Sequence, residues 1–440
     1  MISLPYTAPA CVVAVLAAMI AAAAPVSAQS ASRPSATAPV AGHCAADPDA
    51  AARGFNYVLG TQAIGGNYQF STGSRLLEQA QQIRGLGSNL LKISFGKGAA
   101  KRYGTEAAAA RARTTLDYIQ ASPEMQQVLD MDFAYYQAWV HSFTGADWHD
   151  GVTPAEARQL YDEIYALTAW LLKRYSGTGK MFMLGNWEGD WQLLGRQKRE
   201  AVPSPTAITG MIALLKIRQL AIDTAKAQVP HQNVGVYHYL EVNLVRKAMA
   251  GQPSVAHSVL PSVDVDLVSY SSYEAIKQSP TPDLEAIRQP LTETLAYLEA
   301  QMRPKAGLPF TRRVFIGEYG YHADRSKPLT VEQQFMKSRF VMQSAIGLDL
   351  PFALIWQMYN NEYAENGTSK EMSLIDESGR KRALYVLHQN YLKEMRDFVA
   401  QSCRTTGTLP PRTAFQNRAL QLLNESGFEK LDALTNAATQ

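Results

Sequence analysis

Cysteine is the scarcest signal in this chain, with three in 440 residues and no C-x-x-C spacing. That argues against a zinc site built on paired thiolates and against a thioredoxin-type redox motif. There is also no H-E-x-x-H, no G-x-S-x-G, and no G-x-G-x-x-G after the first strand-like run. The common metalloprotease, serine-hydrolase and dinucleotide fingerprints are thus missing. Ser176 to Lys180 (SGTGK) looks like the tail of a phosphate-binding loop, but its upstream Gly is absent and a strand follows instead of a helix. Charge of one sign is scant too: the net charge is +3 and no dense Lys/Arg block occurs. Composition therefore gives no case for nucleic acid or an anionic membrane as partner.

Long apolar runs are confined to the N-terminus. Cys11 to Ala24 (CVVAVLAAMIAAAA) is followed by Pro25 and by Val26-Ser27-Ala28, an A-x-A-like cleavage site. Residues 1–10 hold no Lys or Arg, so only the terminal amine supplies charge there. We expect residues 1–28 to be a signal peptide, with an uncleaved anchor as the competing reading, and the Ser/Ala/Pro-rich residues 29–43 to be a linker. No later stretch approaches the roughly 20 apolar residues of a membrane span. The mature chain is then expected to be secreted or periplasmic, which leaves Cys44 and Cys403 as its pair of cysteines, free to bridge in an oxidising compartment. Residues 44–403 are expected to form the catalytic domain. Residues 404–440 are expected to be a tail with a short helix near Phe415 to Leu423 and no site.

The hydrophobic fraction of 46% suits a globular protein with a sizeable core. From Phe55 onward, short apolar runs alternate with amphipathic segments. Strands are expected in FNYVLGTQAIG, NLLKISFG, MDFAYYQAWVHSF, KMFMLGNWEGDW, NVGVYHYLEVNLV, DVDLVSYSSYEA, RRVFIGEYGY and PFALIWQMYNNE. Helices between them carry legible starts. Thr153-Pro154-Ala155-Glu156 is a capping box with Pro at the first helical position, and Thr330 with Gln333 opens another. Eight buried strands alternating with helices predict an α/β fold closed as a (β/α)8 TIM barrel. An open doubly wound sheet competes, but polar and aromatic residues cluster at nearly every strand's C-terminal end, where a barrel builds its active site.

What remains for chemistry is carboxylates at strand ends. Glu188, in GNWEGDW, ends the fourth expected strand, and Glu318, in VFIGEYGY, ends the seventh. Those strands face each other across a barrel mouth. Carboxyls there can stand about 5–5.5 Å apart, the separation used by retaining glycosidases. One carboxylic acid protonates the leaving oxygen while the other attacks the anomeric carbon, so their environments must push their pKa values apart.

These residues resemble retaining glycoside hydrolases of clan A, whose barrels carry the acid/base on strand four and the nucleophile on strand seven. As an order of elements, the resemblance covers roughly Phe55 to Gln401. Its specific part lies in IGEYG, Ile316 to Gly320, and FALIWQMYNN, Phe352 to Asn361. It implies Glu318 as nucleophile, Glu188 as acid/base and Trp356 as a sugar platform. It also implies a Tyr near the end of strand six, Tyr270 or Tyr273, bonded to the nucleophile. The clan places an Asn directly before its acid/base; here Trp187 intervenes between Asn186 and Glu188. Residues two apart share a strand face, so Asn186 and Glu188 could still converge on one sugar, while Asp190 stands as a rival acid.

Further candidates for substrate binding are Lys92 in LLKIS, Trp139 and His141 in YQAWVHSF, His238 on strand five, and Asn360 with Asn361 on strand eight. Each has a structural alternative in the core or in solvent, and Glu241 and Glu274 are expected to be solvated. The expectation is a secreted, monomeric glycoside hydrolase cleaving a β-linked glycoside with retention, needing no metal or organic cofactor. A carbohydrate-binding barrel without catalysis and a transglycosylase using the same carboxylates are the alternatives.

Overall fold

A computed structural model describes residues 44, 47–195, 197–277, 282–323 and 329–437. The expected signal peptide and linker lie outside the described residues. Eight strands form one closed barrel in chain order: β1 (Leu59–Gln62), β2 (Leu90–Phe95), β3 (Tyr135–Val140), β4 (Met181–Gly185), β5 (Gly235–Val242), β6 (Leu267–Ser271), β7 (Val314–Tyr319) and β8 (Ala353–Ile355). Every pairing is parallel, and β8 closes on β1 through Leu59 with Ala353 and Thr61 with Ile355. The expected (β/α)8 barrel is what the chain forms.

The helices start where their caps predict. Thr153 and Glu156 make a reciprocal capping box on the helix Pro154–Arg174, and Thr330 and Gln333 do the same on Val331–Gly347. Between β2 and β3, the Ala/Arg-rich segment breaks into short helices: Lys97–Tyr103, Glu106–Arg111, Thr115–Ala121 and Pro123–Asp130. Gly104 at φ 78 ends the first of these in the left-handed region that favours glycine.

Two apolar clusters result. The larger lies between the strands and the helices and takes outward residues such as Leu91, Ile93, Tyr136, Leu184, Leu240 and Ile316. The smaller fills the barrel with Leu90, Tyr135, Met183, Tyr239, Leu267, Phe315 and Leu354. Strands buried on both faces explain the near-continuous apolar runs of the sequence.

Past the barrel, the helix Ala383–Thr406 carries Cys403, which is disulfide-bonded to Cys44 with their Cα atoms 5.6 Å apart. The Cys44 amide also donates to the Gly407 carbonyl at 3.1 Å. In the helix Arg412–Glu425, Phe415 is fully buried and packs its ring against Phe55 and Tyr57. No described helix is long and apolar enough to cross a membrane.

Candidate active site

Glu318 reaches the barrel mouth through an irregularity in β7. Phe315 packs inside the barrel and Ile316 outside, so strict alternation would send Glu318 outward. Instead, Tyr270 pairs with Ile316 and the next residue, Ser271, pairs with Glu318. The register with β8 shifts in the same place, between Ile316 and Tyr319. The extra residue is Gly317, and this bulge turns Glu318 inward while Tyr319 joins the outer core. Glu318 is 3% exposed.

Glu188 reaches the same mouth from a loop. β4 ends at Gly185, so Asn186, Trp187 and Glu188 lie beyond it, which corrects the expectation that strand alternation aligns Asn186 with Glu188. Glu188 adopts φ 34 and ψ 70 in the left-handed region, unusual for a residue with a side chain. The loop is pressed against β5: a Cβ on Gly189 would stand 2.4 Å from the Glu241 carbonyl oxygen.

Between the two lies a third carboxylate, Glu241, on β5. It was expected to be solvated but is fully buried. Its Oε1 accepts the Glu188 amide at 2.9 Å. Its Oε2 accepts from Lys92 Nζ, Trp139 Nε1 and Ser269 Oγ, each at 3.1 Å. Lys92, also fully buried, donates to Glu318 Oε1 at 3.3 Å and to the Gly317 carbonyl at 3.2 Å. The ammonium sits 4.3 Å from the centre of the Trp139 ring.

Burial pushes the Glu188 carboxyl up to about 8, helped by the charge of Glu241 and opposed by Lys92. Burial also drives Glu318 well above the usual carboxylate range, with Lys92 pulling against it and Glu241 and Glu188 adding to it. Lys92 pairs directly with Glu241 and Glu318, and burial with mutual repulsion favours keeping a proton on the Glu188 and Glu318 pair. Glu318 has the direct ion pair with Lys92, whereas among the described residues the Glu188 carboxyl receives only the Asn243 side-chain Nδ2, at 3.3 Å. That asymmetry favours the proton on Glu188 and the charge on Glu318.

A cavity of about 880 Å³ opens at the C-terminal ends of the strands. Glu188 and Glu318 line it together with Trp139, His141, Trp187, Tyr273 and Trp356. Burial, with Arg218 and Arg102, lowers His141 to about 4 and keeps it neutral near pH 7. Tyr273 is held well above the usual phenol value by burial and by Glu318 and Glu188, so it keeps its proton. Among the described residues the Trp356 indole N–H has no hydrogen-bond partner.

Other expected site residues lie elsewhere. His238 is on the outward face of β5, where its amide donates to Asp266 and burial lowers its ring to about 3. Tyr270 belongs to the outer core, leaving Tyr273 as the tyrosine that meets the cavity. Asn360 is committed to Ser369 and Glu377, and it is Asn361 that lines the cavity. Asn186 does not line the cavity; its Oδ1 accepts the Glu241 amide at 3.2 Å. Lys92 lies beneath the cavity, bonded to the carboxylates. Asp190 is 1% exposed and accepts the amides of Asn243, Leu244 and Val255 at 2.8 to 3.0 Å. Both of its oxygens are occupied by backbone, so it ties the loop to β5 and does not face the cavity. Glu274, also expected to be solvated, is largely buried, accepting the Arg246 amide and pairing with Arg199.

Sequence reasoning missed Trp148, Trp191 and His322, which line the cavity, and above all Glu241. Glu241 shares a strand face with Tyr239, two residues before it, but nothing in the residue order marks that face as the inward one.

No protein-family profile and no curated protein sequence matches the chain. Among solved structures, its fold is similar to that of the GH1 β-glucosidase from Exiguobacterium antarcticum B7, with a TM-score of 0.50 and 10% identity over 77% of this chain and 98% of that one. A β-glucosidase from Exiguobacterium marinum matches with the same TM-score, identity and coverage. The β-glucuronidase 2 of Bacteroides uniformis aligns at a TM-score of 0.45 and 9% identity over 76% of this chain, which spans only 34% of that protein. At these identities the likeness is one of fold.

Proposed function

We propose that this chain hydrolyses a β-linked glycoside with retention of configuration, with Glu318 as nucleophile and Glu188 as acid/base. The observation that carries the reading is the pairing of Glu188 and Glu318 on one aromatic-lined cavity with unequal ionic partners. The Glu318 carboxylate attacks the anomeric carbon as the glycosidic C–O bond breaks, and Glu188 gives its proton to the departing oxygen. Glu188, now a carboxylate, takes a proton from water, whose oxygen displaces Glu318 and releases the sugar. The folds of two β-glucosidases agree with this reading.

Trp356 and Trp187 line the cavity as aromatic surfaces against which the apolar face of a pyranose can pack. A place outside the cytoplasm fits both the N-terminal signal pattern and the Cys44–Cys403 bridge.

The test is a panel of 4-nitrophenyl β-glycosides, followed by the matching 2-deoxy-2-fluoro glycoside as a trap. We expect turnover of at least one member, first release of the β-anomer by NMR, and a covalent adduct on the peptide holding Glu318. An α-anomer as first product, or an adduct on another residue, would reject the mechanism.

A further inference from the structure

We propose that Glu241 is a positioning residue of this centre, one carboxylate oxygen holding the left-handed backbone of Glu188 and the other dividing Lys92 with Glu318. The inference rests on the assignment of Glu188 and Glu318 as the catalytic pair, and it gives a role to a buried carboxylate which that mechanism leaves unused.

Four elements converge on this side chain. The β4 loop supplies the Glu188 amide, β2 supplies Lys92, β3 supplies the Trp139 indole and β6 supplies the Ser269 hydroxyl. Glu241 does not line the cavity, so it acts on substrate only through these partners. Its geometry links the two halves of the reaction. Oε1 fixes where the Glu188 side chain leaves the loop, because a left-handed residue bonded through its amide cannot relax without losing a charge-assisted hydrogen bond. Oε2 takes a share of the Lys92 ammonium, which would otherwise have Glu318 as its carboxylate partner beside the Gly317 carbonyl. An undivided ammonium would hold the Glu318 carboxylate more tightly in the ground state than in the transition state, where its charge passes to the sugar. Glu241 thus places the acid and loosens the counter-ion of the nucleophile.

A structural ion pair would need the same contacts, so the discriminating readout is ionisation. The charged and titratable groups around Glu188 are Lys92 of β2, His141 after β3, Glu241 of β5, Tyr273 after β6, Glu318 of β7 and Glu362 after β8. Of these, Glu241 is the foremost charge raising Glu188.

The experiment compares wild type with Glu241→Gln and Glu241→Asp, using carboxyl-13C glutamate labelling and the glycoside panel. The Glu188 resonance is assigned by its loss in Glu188→Gln. We expect Glu241→Gln to move the Glu188 midpoint toward acid and, on an active glycoside, to lower kcat by roughly 100-fold or more with KM little changed. The basic limb of kcat/KM should shift toward acid with it. Glu241→Asp keeps the charge but draws the oxygen back from the Glu188 amide, so kcat should fall while the Glu188 midpoint stays closer to wild type. An unmoved Glu188 midpoint in Glu241→Gln, or wild-type kcat in Glu241→Asp, would overturn the inference. Should Glu241→Gln not fold, the Glu241→Asp arm decides alone. Failure of wild type to turn over any glycoside would count against the proposed function, while the NMR comparison would still decide whether Glu241 governs Glu188.

Discussion

Gly317 lies so close to Ser269 that a Cβ on it would stand 1.8 Å from the Ser269 hydroxyl oxygen. The carbonyl of the same residue accepts from Lys92 Nζ and from the Gln62 side-chain Nε2, and the bulge here faces Glu318 into the barrel. One glycine therefore admits β6 at close range and turns Glu318 into the barrel.

Gly317→Ala should overpack this contact and cost about 1–3 kcal/mol of stability. Adding Ser269→Ala removes the hydroxyl and leaves the Ser269 Cβ, 3.1 Å away, as the next neighbour, so part of the loss should return. Urea unfolding of the single and double variants measures it. Equal stability of Gly317→Ala and wild type would show that the strand accommodates a side chain here.

Asp190 and Glu188 stand two residues apart but differ in their duties. Asp190→Ala removes the acceptor for three buried amides and should destabilise the protein by about 3 kcal/mol or more. Glu188→Ala should leave the melting temperature near wild type and remove turnover that depends on acid assistance, by roughly 100- to 10,000-fold. Thermal melts beside glycoside assays separate the two. A stable, inactive Asp190→Ala with an active Glu188→Ala would reverse the assignment of the acid.

Activity should depend on pH through Glu188. The proton it must donate is lost as pH rises through about 8, so the basic limb of kcat/KM should fall there. Stability should carry the same sign. The folded Glu188 keeps a proton that the unfolded chain releases near 4.5, so between these values folded protein binds more protons and stability declines as pH rises. Glu188→Gln lacks this dependence. Its stability relative to wild type should therefore grow from pH 5 to pH 8, as read by urea midpoints across that range.

The Cys44–Cys403 bridge spans a sequence separation of 359 residues and ties the N-terminal edge to the last barrel-flanking helix. Cys44→Ser with Cys403→Ser should lower stability by about 2–5 kcal/mol while leaving the distant cavity active. Thermal melts with and without reductant check it: wild type should shift on reduction and the double variant should not.

Much of this protein was legible in the residue order. Apolar runs placed all eight strands, and the Thr153/Glu156 and Thr330/Gln333 boxes located two helix starts, because capping is a local matter of side chain and adjacent amide. Two carboxylates at the ends of β4 and β7, and a pair of cysteines outside the barrel, were visible for the same reason: position along the chain was enough to single them out.

Which way a side chain points was not legible. A strand buried on both faces shows no polar phase, so the inward placement of Glu241 and the outward placement of His238 and Tyr270 had no marker in hydrophobicity alone. The inward turn of Glu318 depends on a bulge set by pairing with β6 and β8, and the setting of Glu188 depends on a carboxylate 53 residues away. Sequence determined the barrel and its carboxylates. Only closure of the barrel, which brings β2, β3, β5 and β7 within hydrogen-bonding distance at one mouth, decided how Glu241 and Glu318 share one ammonium.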